Sequence, residues 1–266
     1  MRHGGYKVVY DSHENVPAQI LSKPYLNSAM RKIVAYIFTM LERQYVRYCV
    51  AVVSVTENNA KRFSRIHDAV FLVRNFPILA SFDEVSFDEK EMTFMYAGGV
   101  TKIRGIKELA AAASISRTEI VFFGPWESDE IMIENQNEFT TFHGSVEQKK
   151  LFCVMEKASV GFVILHKVPN YLDSYPVKLF EYMASGMAVI ASDIPMWKEI
   201  IEKHKCGICV DPRNIQEIID AITYMKMHPQ EVKEMGRNGR RAVFSYYNWE
   251  REAEALLDCY RYIFTN

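Results

Sequence analysis

Three places in the 266-residue sequence combine residue types that could hold an anion or a hydroxylated ligand. The first is Gly98-Gly99-Val100-Thr101-Lys102-Ile103-Arg104-Gly105, directly after the apolar run Thr93–Ala97. Glycine lets backbone approach a phosphate closely, and a helix N-terminus favours anions. The guanidinium of Arg104 presents a planar fork of donors suited to phosphate oxygens. A plain strand-to-helix turn carrying a surface arginine is the alternative.

The second is Asn170-Tyr171-Leu172-Asp173-Ser174-Tyr175-Pro176-Val177-Lys178-Leu179-Phe180-Glu181. Pro176 suits the first helical position, with Ser174 or Tyr175 at the cap. Lys178 then falls in the first turn, where a cation opposes the helix dipole by ~0.3–1 kcal/mol. An anion bound at that helix end reverses the sign, so the conflict points to a phosphate site; pairing of Lys178 with Asp173 or Glu181 is the alternative. Glu181 stands among Leu179, Phe180, Met183 and Ala184 on a helix that reads as buried. A carboxylate there needs hydrogen-bond donors, which sugar or ribose hydroxyls, an arginine or backbone amides could provide. The third place is Asp11-Ser12-His13-Glu14, after the short apolar run Tyr6–Tyr10. It offers His13 as an active-site histidine or as part of a solvated loop.

Other candidates fall away. Cys206-Gly207-Ile208-Cys209 has no second cysteine pair and straddles a turn into a strand, unlike redox pairs at a helix start. Gly98-Gly99 lacks the third glycine of a dinucleotide fingerprint, and no acidic residue ends the following strand, Ile120–Gly124. Lys plus Arg is 32 and Asp plus Glu 33, a balance that gives no reason to expect nucleic acid. No stretch approaches the ~20 apolar residues of a membrane span. Five cysteines and an N-terminus, Met1–Gly5, without an apolar segment behind it predict reduced thiols in a cytoplasmic protein.

The elements that must position these residues alternate. Apolar runs at Tyr6–Tyr10, Val50–Val55, Val70–Val73, Thr93–Ala97, Ile120–Phe123, near Phe142, and at Val160–Leu165, Ala188–Ala191 and Ile208–Val210 read as strands. Amphipathic segments separate them, and three helices close the chain near Ile215–Met227, Gln230–Ser245 and Trp249–Ile263. This alternation predicts an α/β fold with parallel sheets covered on both faces, whose ligands lie beyond the carboxyl ends of strands. Residues 79–91 read as a linker, so the expected organisation is a first domain over 1–88, a second over 89–248, and a terminal helix over 249–266 returning toward the first. The first domain holds only three strands, which predicts exposed apolar surface and self-association or a partner chain. The helix at Ser28–Arg47 carries Arg31, Lys32, Arg43 and Arg47 among apolar residues. A peripheral contact with the inner face of a membrane fits that pattern, and a solvated helix face is the alternative.

The run from Ser174 to Ser192 resembles the signature of the retaining, nucleotide-sugar-dependent glycosyltransferases of group 1. The Gly98–Gly105 turn, the segment Cys206–Pro212 and the tail from Met235 to Trp249 agree with it in order. The resemblance covers residues 6–262 and implies the glycosyltransferase-B fold: two Rossmann-like domains with a cleft between them, the N-terminal one incomplete here. It further implies transfer of a sugar from a nucleotide-diphosphate sugar to a glycan or lipid-linked acceptor, with retention, in polysaccharide or glycolipid synthesis. Donor contacts would come from Gly98, Gly99, Arg104, Gly124, Ser174, Tyr175, Pro176, Val177, Lys178 and Glu181. Arg104 and Lys178 would take the diphosphate, Glu181 the ribose and Asp173 the donor sugar, with His13 beside it; His13, Asp173 and Glu181 are the catalytic set. No cofactor and no metal are implied, because cationic side chains and a helix end stabilise the leaving charge. Two positions depart from the pattern: Asp173 replaces the usual glutamate, and Gly99 stands where many members carry arginine. A non-catalytic nucleotide-sugar-binding remnant, or a subunit needing a partner chain, is the alternative reading.

Overall fold

The computed structural model describes residues 6–23, 26–82, 86–87 and 90–265. The elements run β1 (Val9–Ser12), α1 (Val16–Leu21), α2 (Ser28–Val46), β2 (Ala51–Ser54), α3 (Glu57–Phe63), β3 (Val70–Leu72), β4 (Glu91–Ala97) and α4 (Ile106–Ser116). They continue through β5 (Ile120–Phe123), α5 (Asp129–Asn135), β6 (Thr140–Phe142), α6 (Gln148–Lys157), β7 (Ala158–Val163), α7 (Pro169–Leu172), α8 (Val177–Ala184) and β8 (Ala188–Ser192). The chain ends with α9 (Pro195–His204), β9 (Gly207–Val210), α10 (Ile215–Met227), α11 (Pro229–Tyr246) and α12 (Trp249–Thr265). Two compact units emerge: Met1–Phe76 with Val168–Tyr175 and Trp249–Asn266, and Pro77–Lys167 with Pro176–Asn248.

The first unit is built on a parallel three-stranded sheet in the order β1-β2-β3. Its central strand alternates: Val52 packs with Val46 of α2 and Phe63 of α3 on one face, and Ala51 and Val53 pack with Cys259 and Ile263 of α12 on the other. A period of two therefore sends successive residues into two separate cores. Only Ala35, Glu42 and Val46 of α2 are buried, and Ile33, Tyr36, Ile37, Met40, Leu41 and Tyr45 stand exposed. Buried Glu42 is held by Arg62 in an ion pair and accepts from the Tyr10 hydroxyl at 3.0 Å. Burial and the Glu42 charge push the Tyr10 phenol up to about 12.

The second unit holds a parallel six-stranded sheet in the order β6-β5-β4-β7-β8-β9. The chain steps outward from β4 to β6, then returns past β4 to β7 and steps outward the other way. That reversal is the switch point at which doubly wound sheets bind ligands. Phe94, Tyr96, Phe122 and Phe162 of the sheet, Ile106 and Leu109 of α4, and Ile218, Ile222 and Met225 of α10 form one core. The Lys90 ammonium donates to the carbonyls of Met155, Glu156 and Ala158 at 3.2, 2.9 and 2.8 Å, closing the C-terminus of α6.

Several boundaries differ from the sequence expectation. The first strand lies at Val9–Ser12 because its pairing partner begins at Ala51, in register with Val9; His13 therefore follows the strand at once. The polar stretch after it contains α1, capped by the Asn15 side chain accepting from the Ala18 amide. Helix α5 has a Ser128 cap and an acidic first turn, with Ile131 its sole buried residue, so its apolar period is too faint to read. In the segment read as a linker, Leu79–Phe82 forms a 3-10 turn and Phe82 packs against Phe152, ring centres 4.7 Å apart. Contacts of this kind bring Pro77–Phe82 into the second unit, so the division falls at Phe76–Pro77. Residues 83–85 and 88–89 of that segment, and the N-terminus Met1–Gly5, lie outside the described residues.

Candidate active site

In the second unit the turn after β4 and the start of α8 bring two cations to one point. A Cβ built on Gly98 would meet Arg104 Nη1 at 3.3 Å and Lys178 Nζ at 3.4 Å, and one on Gly99 would meet Arg104 Nη1 at 3.2 Å. Gly98 has φ +137°, which side chains with a Cβ rarely adopt. The turn is thus open backbone faced by a guanidinium and an ammonium. Gly124 supports it from β5: a Cβ there would fall 2.1 Å from the Gly98 carbonyl oxygen, so this glycine serves close strand-end packing.

The Lys178 ammonium is buried and makes no hydrogen bond among the described residues. It lies 3.9 Å from the centre of the Tyr96 ring. Burial and the neighbouring Arg104 charge press its pKa well below the usual lysine value, against the pull of Glu181. In the first unit the Asp173 carboxylate accepts from Asn58 Nδ2 at 3.0 Å. Pro176 is the cap residue and Val177 the first helical residue of α8, one position later than the sequence suggested. Glu181, one turn beyond Lys178 on the same helix, makes no side-chain hydrogen bond among the described residues. Burial raises its pKa, with Lys178 opposing. A buried ammonium without a hydrogen bond among the described residues and a carboxylate without a hydrogen-bond donor among them form an arrangement that an anionic, hydroxylated ligand would complete.

In the first unit His13, Asp173, Ser174 and Tyr175 line a cavity of about 210 Å³ together with Asn15, Asn59, Asn75, Asn170 and Tyr171. His13 Nε2 lies 3.0 Å from Asp11 Oδ2, and its Nδ1 lies 3.3 Å from Asn75 Nδ2. Burial raises the Asp173 pKa, and hydrogen bonds from Asn58, Thr56 and Asn15 draw it back. Tyr175 donates to Glu57 Oε2 at 3.0 Å and packs edge-on to Phe76; the Ser174 hydroxyl donates to the Tyr171 carbonyl at 3.3 Å. The structure therefore gathers Gly98, Gly99, Arg104, Gly124, Lys178 and Glu181 in one unit and His13, Asp173, Ser174 and Tyr175 in the other.

Residues with no sequence signal complete both groups. Tyr96 sits within β4, where an aromatic reads as core, yet its hydroxyl donates to the Gly99 carbonyl at 2.9 Å. Thr101 leaves a buried hydroxyl without a partner among the described residues; its place in the glycine turn was the available clue. The asparagines are scattered from 15 to 170 and could not be grouped by spacing. His166 Nε2 lies within hydrogen-bond distance of Glu108 Oε1, at 3.1 Å. Burial pushes both Cys206 and Cys209 up to about 12, where a thiol is inert.

The family described as "Glycosyl transferases group 1" matches residues 78–242, more than half of the chain. A curated relative, MMP alpha-(1->4)-mannosyltransferase of Mycolicibacterium hassiacum, is 24% identical over 94 residues, which is 35% of this chain and 23% of that one. The chain thus matches about a quarter of that relative's length. Among solved structures, sucrose-phosphate synthase from Thermosynechococcus elongatus superposes with a TM-score of 0.77 at 20% identity, covering 99% of this chain and 69% of that one. TarM of S. aureus, solved as a variant with fondaparinux, alpha-GlcNAc-glycerol and UDP, superposes at 0.73 with 16% identity, covering 97% and 52%. At these identities the structural likeness shows the fold alone. No helix among the described residues is long and apolar enough to cross a membrane.

Proposed function

The chain belongs to the group 1 glycosyl transferases, of the glycosyltransferase-B fold, and on that premise we propose that it moves a sugar from a nucleoside-diphosphate sugar to an acceptor hydroxyl with retention. The observation that carries this is the buried, hydrogen-bond-free ammonium of Lys178 beside Arg104 at an open glycine turn. The Lys178 ammonium, buried without a hydrogen bond among the described residues and repelled by the adjacent Arg104 charge, is stabilised by an anion bound at the turn. A diphosphate supplies that charge, and UDP is bound by TarM, a structural neighbour.

Each residue takes a role in this reading. Arg104 and Lys178 hold the diphosphate, with backbone near Gly98, Gly99, Gly124 and at Pro176–Val177 around it. Glu181 accepts from the ribose hydroxyls. Asp173 accepts from hydroxyls of the donor sugar, Ser174 and Tyr175 shape its loop, and His13, oriented by Asp11, contacts the same sugar. The acceptor oxygen bonds to the anomeric carbon on the face that the diphosphate leaves. The electron pair of the breaking C–O bond stays with the phosphate, and a phosphate oxygen takes the acceptor's proton. Because Arg104 and Lys178 stabilise the leaving charge, the reading needs no metal and no cofactor. Synthesis of a polysaccharide or glycolipid in the cytoplasm, at the inner face of a membrane, is the setting this chemistry fits.

A second reading is favoured by the exposed apolar face of α2: the chain is a nucleotide-sugar-binding subunit that acts only with a partner chain or a membrane over that face. Lys32, Arg43 and Arg47, all exposed, lie along one flank. The test is a thermal-shift titration with UDP, GDP, ADP and their sugars beside Glu181→Ala, followed by assay for transfer. A shift with one nucleotide that vanishes in the variant is expected, and ligand at 100 times its dissociation constant adds ~2.7 kcal/mol. Absence of any shift overturns the donor site; a shift without turnover selects the second reading.

A further inference from the structure

The six-stranded sheet divides at its switch point. Pairing of β4 with β7 ends at Met95 and Gly161, yet β4 continues beside β5 to Ala97 and β7 continues beside β8 to Val163. The Gly98 amide donates to the Phe123 carbonyl of β5 at 2.8 Å. Backbone groups of successive strand residues point to opposite sides, so the Ala97 amide points toward β7. In place of a strand carbonyl, its acceptor is the Tyr182 hydroxyl of α8, at 2.7 Å. Tyr182 is fully buried, and its ring occupies the space beside Gly161: a Cβ there would stand 2.4 Å from Tyr182 Cδ2. The missing side chain in β7 is what admits the ring.

We propose that Tyr182 is a positioning residue of the diphosphate site, its hydroxyl acting as a spacer that holds the Ala97 amide where a β7 carbonyl would otherwise close the sheet. The proposal rests on the donor reading and assigns what keeps that site open and in register. Lys178 and Tyr182 stand at i and i+4 on α8, hence on one face of the helix. The bond from Ala97 to Tyr182 therefore fixes how far along β4 the Lys178 ammonium stands. Tyr96, on the same strand, donates to the Gly99 carbonyl at 2.9 Å. The turn is tied on both sides of Gly98, by Tyr182 before it and by Tyr96 after it. Binding constellations must hold their geometry to within ~0.5 Å, so a small slip of α8 against β4 misplaces the cation for a phosphate oxygen. Without the hydroxyl the Ala97 amide becomes a buried donor with no acceptor. Relief comes by closure of β4 on β7 or by a shift of the turn, and either change alters the site.

The test compares the full wild-type chain with Tyr182→Phe, titrating UDP, GDP and ADP against their nucleosides. The diphosphate that binds wild type should bind the variant about tenfold more weakly, the upper end of one hydrogen bond's net contribution, with its nucleoside unchanged. In nitrogen-15 spectra the Ala97 and Gly98 amide signals should move in the same variant. Gly161→Ala, which displaces the ring from the β7 side, should lower diphosphate affinity in the same direction. A fluorinated tyrosine at position 182 keeps the ring and weakens the hydroxyl as an acceptor, so it should give a smaller loss even if Tyr182→Phe does not fold. Tyr247→Phe removes a hydroxyl that lies 3.2 Å from His204 Nε2 and should leave the diphosphate affinity unchanged. A merely structural role would lower the unfolding temperature and leave the ratio of diphosphate to nucleoside affinity where it was; that result overturns the proposal. Equal loss for both ligands overturns it too. A wild-type chain that binds no diphosphate sinks the donor reading and this proposal with it, whereas binding that is equal in wild type and Tyr182→Phe sinks this proposal alone.

Discussion

Lys178 Nζ lies 3.9 Å from the centre of the Tyr96 ring, and the same tyrosine's hydroxyl donates to the Gly99 carbonyl at 2.9 Å. One aromatic side chain therefore braces the glycine turn and offers the ammonium a π-face in place of a hydrogen bond. A cation–π contact is a weak substitute for the solvation lost, so Lys178 is held at a cost to stability. Replacing it should expose that cost.

Lys178→Met is expected to raise the unfolding temperature of the ligand-free protein by a few degrees at pH 7, at ~2–4 °C per kcal/mol for a domain of this size, while abolishing the nucleotide-induced shift. The pH dependence has a defined sign. The folded-state pKa is lowered, so between it and the ordinary lysine value the unfolded chain binds the extra proton and wild-type stability rises with pH. The advantage of the methionine variant should be greatest at low pH and shrink through that window. A variant less stable than wild type at pH 7 would show that Lys178 has a partner.

Glu181→Gln tests the opposite titration. The carboxyl pKa is raised by burial, so its penalty is absent below the ordinary glutamate value and complete above the raised one. The glutamine variant should gain stability over wild type as pH rises through that interval and match it in acid. Nucleotide affinity should fall tenfold or more if the carboxylate accepts two ribose hydroxyls, measured by calorimetry against the base-free pyrophosphate. An unchanged affinity would refute the ribose role.

Arg104→Ala separates charge from base recognition. Diphosphates should weaken by about 1.5–3 kcal/mol, the range for hydrogen bonds to charged groups, with nucleosides nearly unaffected. Equal loss for both in a competition assay would remove Arg104 from the phosphate site.

Arg62→Ala should be the most damaging single change in the first unit. It strips the cationic partner from Glu42, whose side chain is 1% exposed, and removes the donor to Asn59 Oδ1 at the cavity wall. Breaking a buried pair costs ~3–5 kcal/mol, read as a lowered denaturant midpoint. Arg62→Ala with Glu42→Leu should recover most of it, because the stranded charge is gone.

The exposed apolar face of α2 predicts concentration-dependent association. Ile37→Glu with Met40→Glu should abolish dye binding and any dimer seen by light scattering. A wild-type chain that is monomeric and dye-silent would remove the case for a partner on that face.

The alternation of strand and helix was legible because both periods are local: Val50–Val55 reads as a strand, Ile215–Met227 as a helix, and each is found near those bounds. The glycine turn with its cations was legible because Gly98, Gly99 and Arg104 lie within seven residues and Lys178 conflicts with its own helix. Tyr96 was hidden because a buried aromatic in a strand serves packing in most contexts. α5 was hidden because a single buried residue makes no period.

By itself the sequence determined the α/β class, the parallel sheets and the residue types of the glycine turn and its cations, since these follow from periodicity, glycine conformation and side-chain chemistry along short stretches. Only the tertiary structure decided that Arg104 and Lys178, 74 positions apart by their numbering, flank one point beside Gly98, and that Asp173 accepts from Asn58. The reason is that strand order carries no local signature. The return of the chain across β4 to β7 sets which loops share the switch point, and burial there, which no short stretch encodes, leaves the lysine without a hydrogen bond among the described residues.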